Sequence, residues 1–192
     1  MIELVVTDIM TRAADHRAHL LMLRERDGLR KIVVALGMYE AQSIAFAMRK
    51  VQPPRPLPHD LFVSFSSLFG IKLQYSLVCG ISDGTFCSQI FFEQGGVVKS
   101  LDSRTSDAIA LALRENAPIY ITDELLDRMC VRDEGNGAVS LPISVVDEET
   151  LRQAMDKAVK EENYELAMKL KEEIDSRRHI AREDDSNDTN TI

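Results

Sequence analysis

The sequence predicts an α+β fold, a mainly antiparallel mixed sheet with short helices, followed by a separate C-terminal αα-hairpin. Three observations carry that reading. Asp27-Gly28 stands between the apolar runs His19 to Arg26 and Leu29 to Leu36, the strongest short signal for a β-hairpin. Between Ile71 and Asp102, three stretches rich in β-branched and aromatic residues are separated by Ser82-Asp83-Gly84 and Gln94-Gly95-Gly96, the pattern of an antiparallel meander. From Leu151 to Arg178 the apolar residues instead recur at helical spacing.

Taken in order, Ile2 to Thr7 is β-branched-rich and reads as a first strand, and Gly37 ends the strand that follows the Asp27-Gly28 turn. A helix is expected from Glu40 to Lys50, with Ala41, Ile44, Ala45 and Met48 at core spacing and Glu40 in its first turn, where the helix dipole favours a carboxylate. Four prolines at 53, 54, 56 and 58 fix an extended segment. A second helix follows from His59 to Phe69, closed by Gly70, and its stripe of Leu61, Phe62, Phe65, Leu68 and Phe69 reads as core-facing. The meander strands are placed at Ile71 to Cys79, Thr85 to Phe92 and Val97 to Asp102. They lead into a polar turn and a buried helix at Ala108 to Leu113, which Asn116 and Pro118 terminate. Glu124 to Met129 reads as a last short helix, Asp133 to Ala138 as a loop, and Ser140 to Val146 as an edge strand or a connector.

At 192 residues the chain is long enough for one domain with a sizeable core and an appendage. Residues 1–146 are assigned to that domain, 147–180 to the hairpin, and 181–192 to an acidic tail too polar to order. There is no run of about 18 apolar residues and no basic-then-apolar leader, so no membrane partner is expected and the cytoplasm is the expected compartment. Cys79, Cys87 and Cys130 lie in no C-x-x-C arrangement and read as small buried hydrophobes rather than as a disulfide framework or a zinc site. The four histidines show no ligand spacing either, so a bound metal would be held by oxygen. The net charge of -8 argues against nucleic acid as a partner until it is divided along the chain. Residues 147–192 hold 14 Asp and Glu against 8 Lys and Arg, which leaves the first 146 residues nearly neutral at -2.

Two polar segments stand out as candidate chemistry. Asp102, Arg104, Thr105, Ser106 and Asp107 crowd the start of an apolar helix, where free N–H groups and a partial positive charge invite caps or anions. Pro53 to Leu61, reading PPRPLPHDL, packs Arg55, His59 and Asp60 into a proline-fixed loop. The competing account of each is a capped helix start with structural ion pairs, Arg104 with Asp102 or Asp107 among them. With Glu40 nearby, the two segments are expected to share one cleft.

The segments GMYEAQSIAFAM, RPLPHDL, DGTFCSQIFF and LDSRTSDAIALALRENAPIYIT, in that order, resemble the bifunctional nuclease family, small α+β proteins that degrade DNA and RNA. The likeness spans residues 3–130. Two departures are a proline at 58 where the family has threonine, removing a hydroxyl from the expected cap of the second helix, and Thr105 where it has proline. The resemblance implies phosphodiester hydrolysis. Under it, His59, Asp60, Asp102, Asp107 and Glu40 are candidate catalytic residues, and Arg55, Arg104 and Ser106 candidate phosphate ligands. Asp60, Asp102 and Asp107, with Glu40 as a further alternative, are candidate oxygen donors should Mg²⁺ or Mn²⁺ bind.

The C-terminal pattern places Leu151, Met155, Ala158 and Val159, then Leu166, Ala167, Leu170 and Ile174, on two amphipathic helices joined near Glu162-Asn163. It resembles the UVR motif of excision-repair nuclease subunits, with Tyr164, Glu165, Ala167 and Leu170 fitting the pattern. That resemblance implies a protein partner or self-pairing through Leu151, Met155, Tyr164, Glu165, Ala167, Leu170 and Ile174. A homo-oligomer is therefore expected. The alternative to a nuclease is a non-catalytic adaptor acting through this hairpin.

Overall fold

The computed structural model describes residues 1–11, 19–82, 84–133, 139–140, 148–160, 163–172 and 174–175. The expected loop at 133–138, the segment 140–146 and the acidic tail fall mainly or wholly outside the described residues. By its internal contacts the chain forms two compact units, one of Met1–Gly80 with Phe86–Val139 and one of Ile81–Thr85 with Ser140–Ile192.

The first unit is α+β. Its strands are β1 (Ile2–Thr11), β2 (His19–Glu25), β3 (Lys31–Leu36), β4 (Lys72–Ser82), β5 (Thr85–Gln94), β6 (Val97–Arg104) and β7 (Ile119–Ile121). They form one sheet in the order β3-β2-β1-β7-β4-β5-β6. The pairs β1–β2, β2–β3, β1–β7 and β5–β6 are antiparallel, whereas β7 runs parallel to β4, so the sheet is mixed. The β5–β6 turn places Gly95 and Gly96 at φ of +60° and +84°, the left-handed pair a two-residue hairpin loop requires.

The helices are α1 (Met38–Met48), α2 (Pro58–Leu68), α3 (Thr105–Glu115) and α4 (Asp123–Met129). α3 lies centrally, packing on α1, α2, β3 and β6, and its Ala108–Ala112 segment is buried as its apolar sequence demands. Asn116 closes it in the left-handed conformation at φ +52°. Leu21, Leu23, Ile32, Ile44, Ile109, Ile121 and Leu126 fill the core. On the other face of the strands Tyr75 stacks on Phe91 at 4.3 Å and meets Tyr120 edge-on at 5.7 Å. Arg30 joins the β2–β3 hairpin to α4 by bonding Glu25, Asp123 and Asp127. Two-residue strands β8 (Arg132–Asp133) and β9 (Val139–Ser140) follow.

In the second unit α5 (Glu148–Lys160) and the helical residues 164–172 bury Leu151, Ala158, Ala167, Leu170 and Ile174 in one cluster, with Ala154 and Met155 packed on it. Of the residues assigned to partner binding, only Tyr164 and Glu165 are exposed. Val159, Leu166 and Met168 are exposed as well, although the spacing puts Val159 and Leu166 on the apolar stripe; each of these two lies beside a residue that the hairpin's own cluster buries, Ala158 and Ala167.

Four expectations are corrected. The stripe of α2 does not face the core: Leu61, Phe62, Phe65, Leu68 and Phe69 are all exposed, because the helix turns its polar side to the body. Cys79 is exposed and Cys87 and Cys130 are half-buried, not core groups. The cap of α2 is Leu57, so Pro58 occupies the first helical position, where its missing N–H costs nothing. The polar turn at 102–107 is not a loop, since β6 runs to Arg104 and α3 begins at Thr105.

Thr105 shows how that junction is held. Its hydroxyl, 3% exposed, donates to the Phe86 carbonyl at 2.8 Å and shares a 2.7 Å bond with Ser88, itself fully buried. Thr105→Val keeps the shape but orphans both partners, and is expected to lower unfolding free energy in denaturant melts by roughly 1–3 kcal/mol.

Candidate active site

Four elements converge on one cluster. Glu40 and Ser43 come from α1, three residues apart and so on one helix face. His59 and Asp60 lie in the first turn of α2, Arg104 is the residue at which β6 passes into α3, and Asp107 and Arg114 lie on α3. Asp60 is aimed by its own helix start: one oxygen accepts from the Leu57 amide at 2.8 Å, substituting for the missing cap, and the other accepts from Arg114 Nε at 2.6 Å.

The bonds form one continuous path. Arg104 grips both oxygens of Asp107, Nε to Oδ2 at 2.8 Å and Nη2 to Oδ1 at 3.1 Å, and gives Nη1 to Glu40 Oε1 at 3.1 Å. His59 Nε2 lies 3.0 Å from Asp107 Oδ1, and His59 Nδ1 lies 2.9 Å from Ser43 Oγ. Arg114 Nη2 donates to that same Ser43 oxygen at 3.1 Å and Nη1 to the Ala110 carbonyl at 2.9 Å. The donors fix a tautomer for neutral His59. Ser43 accepts from Arg114, which frees its own proton for His59 Nδ1, and Nε2–H then points at Asp107.

The two aspartates are held in the charged form. Partial burial pushes the Asp107 carboxyl upward, but hydrogen bonds from Arg104 and His59, with the charge of Arg104, outweigh it and leave the group below its ordinary 3.8. Asp60 follows the same balance, burial against the bonds from Arg114 and the Leu57 amide. The Arg104 guanidinium is correspondingly shifted upward, first by its bond to Asp107. Arg104 is also the one two-thirds exposed, at 68%, while the Arg114 side chain is 9% exposed.

The structure therefore brings together Glu40, His59, Asp60, Arg104 and Asp107, from segments far apart in the chain. Asp102 lies on β6 opposite Gln89, exposed, and no bond among the described residues joins it to the cluster. Arg55 is exposed in the loop before α2, and Ser106 is half-buried beside Asp107; neither enters the bond path. Two members were missed from the sequence, Ser43 and Arg114. The available signal was a polar residue interrupting the apolar face of a helix, Ser43 beside Ile44 and Arg114 after Leu113.

Residues 21–134, more than half of the chain and all of this cluster, match the family model of the bifunctional nuclease domain. The chain belongs to the bifunctional nuclease domain family. Residues 149–176 match the UvrB/uvrC motif, which covers α5 and the helical residues 164–172. Two relatives from Mycobacterium tuberculosis, the uncharacterized proteins MT1877 (strain CDC 1551) and Rv1829 (strain H37Rv), are each 30% identical over 138 residues, 71% of this chain and 82% of theirs. Within this bifunctional nuclease domain, the bonds around His59 link α1, α2 and α3 through side chains alone.

Because Asp60 and Asp107 both have lowered values, the stability they add is fully present above the ordinary carboxylate range and is lost as pH falls through the folded value. Thermal melts from pH 7 downward should show this loss setting in as pH approaches the ordinary value of 3.8 and continuing below it, and Asp107→Asn should make that acid drop smaller.

Proposed function

We propose that the bifunctional nuclease domain hydrolyses phosphodiester bonds of DNA or RNA at the Arg104–Asp107–His59 cluster. The observation that carries this reading is the exposed Arg104 guanidinium laid over both oxygens of Asp107, with His59 on one of them. Hydrolysis needs a group for the phosphate charge, a base for water and a route for the proton to the leaving oxygen. Arg104 meets the first need, steadied by Glu40. When it turns to a phosphate, Asp107 loses the bonds and charge that depress its basicity, so substrate binding itself activates the base. The proton that Asp107 takes from water is returned by the same carboxyl to the leaving oxygen, while His59 Nε2–H, bonded to Oδ1, holds that carboxyl in position.

Mg²⁺ or Mn²⁺ remains part of the expectation for the family, but no step is routed through it. Among the described residues no three His, Cys, Asp or Glu side chains are grouped closely enough to hold a metal, and Asp60 and Asp107 already accept from arginine. The competing reading is an adaptor whose cluster is structural, favoured by the fact that the charged members of the path are all paired. In either reading the UvrB/uvrC hairpin recruits a protein through its exposed Val159, Tyr164, Leu166 and Met168.

Purified full chain is assayed on labelled single- and double-stranded DNA and RNA, with and without EDTA. His59→Ala and Asp107→Asn are each expected to slow cleavage by roughly 10²- to 10⁴-fold. Cleavage untouched by either substitution would come from a contaminant and leave the adaptor reading. Loss on chelation, restored by Mg²⁺ or Mn²⁺, would assign the cation.

A further inference from the structure

We propose that α2 and the edge strand β6 form an isologous interface with a second copy of this chain. The helix is inverted relative to a surface helix. Its polar side, with His59, Asp60 and the 5%-exposed Ser66, faces the body, and its apolar stripe faces outward. β6 ends the seven-stranded sheet next to that stripe, with Val97, Val98 and Leu101 exposed. Such an edge, apolar and open to pairing, is a liability in a lone molecule.

The size of the patch points to a partner of the standard kind. Its seven apolar side chains, five on α2 and in the residue after it and two, Val97 and Leu101, on the face of β6 toward the helix, are between 39% and 80% exposed. At roughly 150–200 Å² for a side chain of this size these fractions come to on the order of 700 Å², near the roughly 800 Å² per partner of a specific interface. Monomers rarely leave a contiguous patch so large.

Its shape points to a second copy. Between α2 and the strands lies an apolar cavity of about 500 Å³, walled by Phe62, Phe65, Phe92, Val97 and Leu101. Beside it Leu61 and Leu68 stand out at 62% and 80% exposure. Groove and ridge occur on one face, so a two-fold axis seats the ridge of each copy in the groove of the other, as an isologous contact requires. The charge-bearing groups lining the groove are one of each sign, Glu93 and Lys99, so no net repulsion opposes the pairing. Covering α2 in this way braces the helix that carries His59 and Asp60, yet the interface stands whether or not the cluster is catalytic.

Sedimentation equilibrium of the full chain is compared with Leu68→Glu and with Phe65→Glu. The unaltered chain should contain at least one dimerisation step, and each variant should weaken it by roughly 30-fold or more with an unchanged circular dichroism spectrum. Because the hairpin offers another route to association, amide exchange of the unaltered chain at low and high concentration is the second measurement. It should show residues 58–68 and 97–104 gaining protection on concentration. A full chain that stays monomeric at about 100 μM overturns the proposal. So does a variant with the self-association of the unaltered chain, or concentration-dependent protection confined to residues 148–175. Should a variant misfold, the exchange pattern of the unaltered chain decides.

Discussion

A guanidinium buried to 9% exposure has to be compensated where it lies, and Arg114 sets the arrangement of the three helices around it. It bonds Asp60 on α2, Ser43 on α1 and the Ala110 carbonyl on its own helix. Removing one partner of a buried charge costs about 3–5 kcal/mol, much more than an exposed ion pair contributes. α2 therefore docks on the body by its polar side. His59 follows, being the neighbour of Asp60, and reaches Asp107 only because Arg114 has drawn the two helices together. Arg104, bonded to Asp107 and Glu40 but 68% exposed, is the solvent-facing counterpart of this buried cation.

The same constraint explains what was and was not legible in the sequence. Periodicity located the longer strands and the four helices of the first unit to within a few residues, since alternation and helical spacing are local properties, but it stopped β1 four residues short and did not find the two-residue strands β8 and β9. It also identified the stripe of α2 correctly as a stripe. It could not say which side of the helix the body would hold, because the deciding interaction is with Arg114, 54 positions away from Asp60. Ser43 was hidden for the same reason: a serine in an apolar helix is ordinary until its partners are known. The parallel pairing of β7 with β4 was also out of reach, as a three-residue strand gives no register of its own. The cluster as a whole was easier, since His59, Asp60, Arg104 and Asp107 all sit at helix starts, where local electrostatics marks them.

The hairpin unit illustrates the limit from the other side. Its apolar spacing gave two helices, and the helices do bury Leu151, Ala167, Leu170 and Ile174. Spacing alone did not separate groups that satisfy the hairpin's own core from groups left for a partner. Val159 and Leu166, which the spacing puts on the stripe, are exposed along with Tyr164 and Met168. The i,i+4 pair of Glu165 with Lys169 at 2.8 Å lies on the same exposed stretch.

Arg104 belongs to two elements at once, the last residue of β6 and the cap residue of α3. No loop residue separates strand from helix there, so the chain has no slack between the ladder that ends opposite Cys87 and the turn that carries Asp107. Elsewhere, as at the Asp27-Gly28 turn, extra residues can be absorbed as a longer loop at small entropic cost. At this junction a single inserted residue would rotate α3 by about 100°, carrying Asp107 and Arg114 away from their partners together. The spacing from β6 to Arg114 is thus a fixed dimension of the molecule, in the sense that a gear tooth fixes a wheel. Drift in length is confined to the turns that do not touch it.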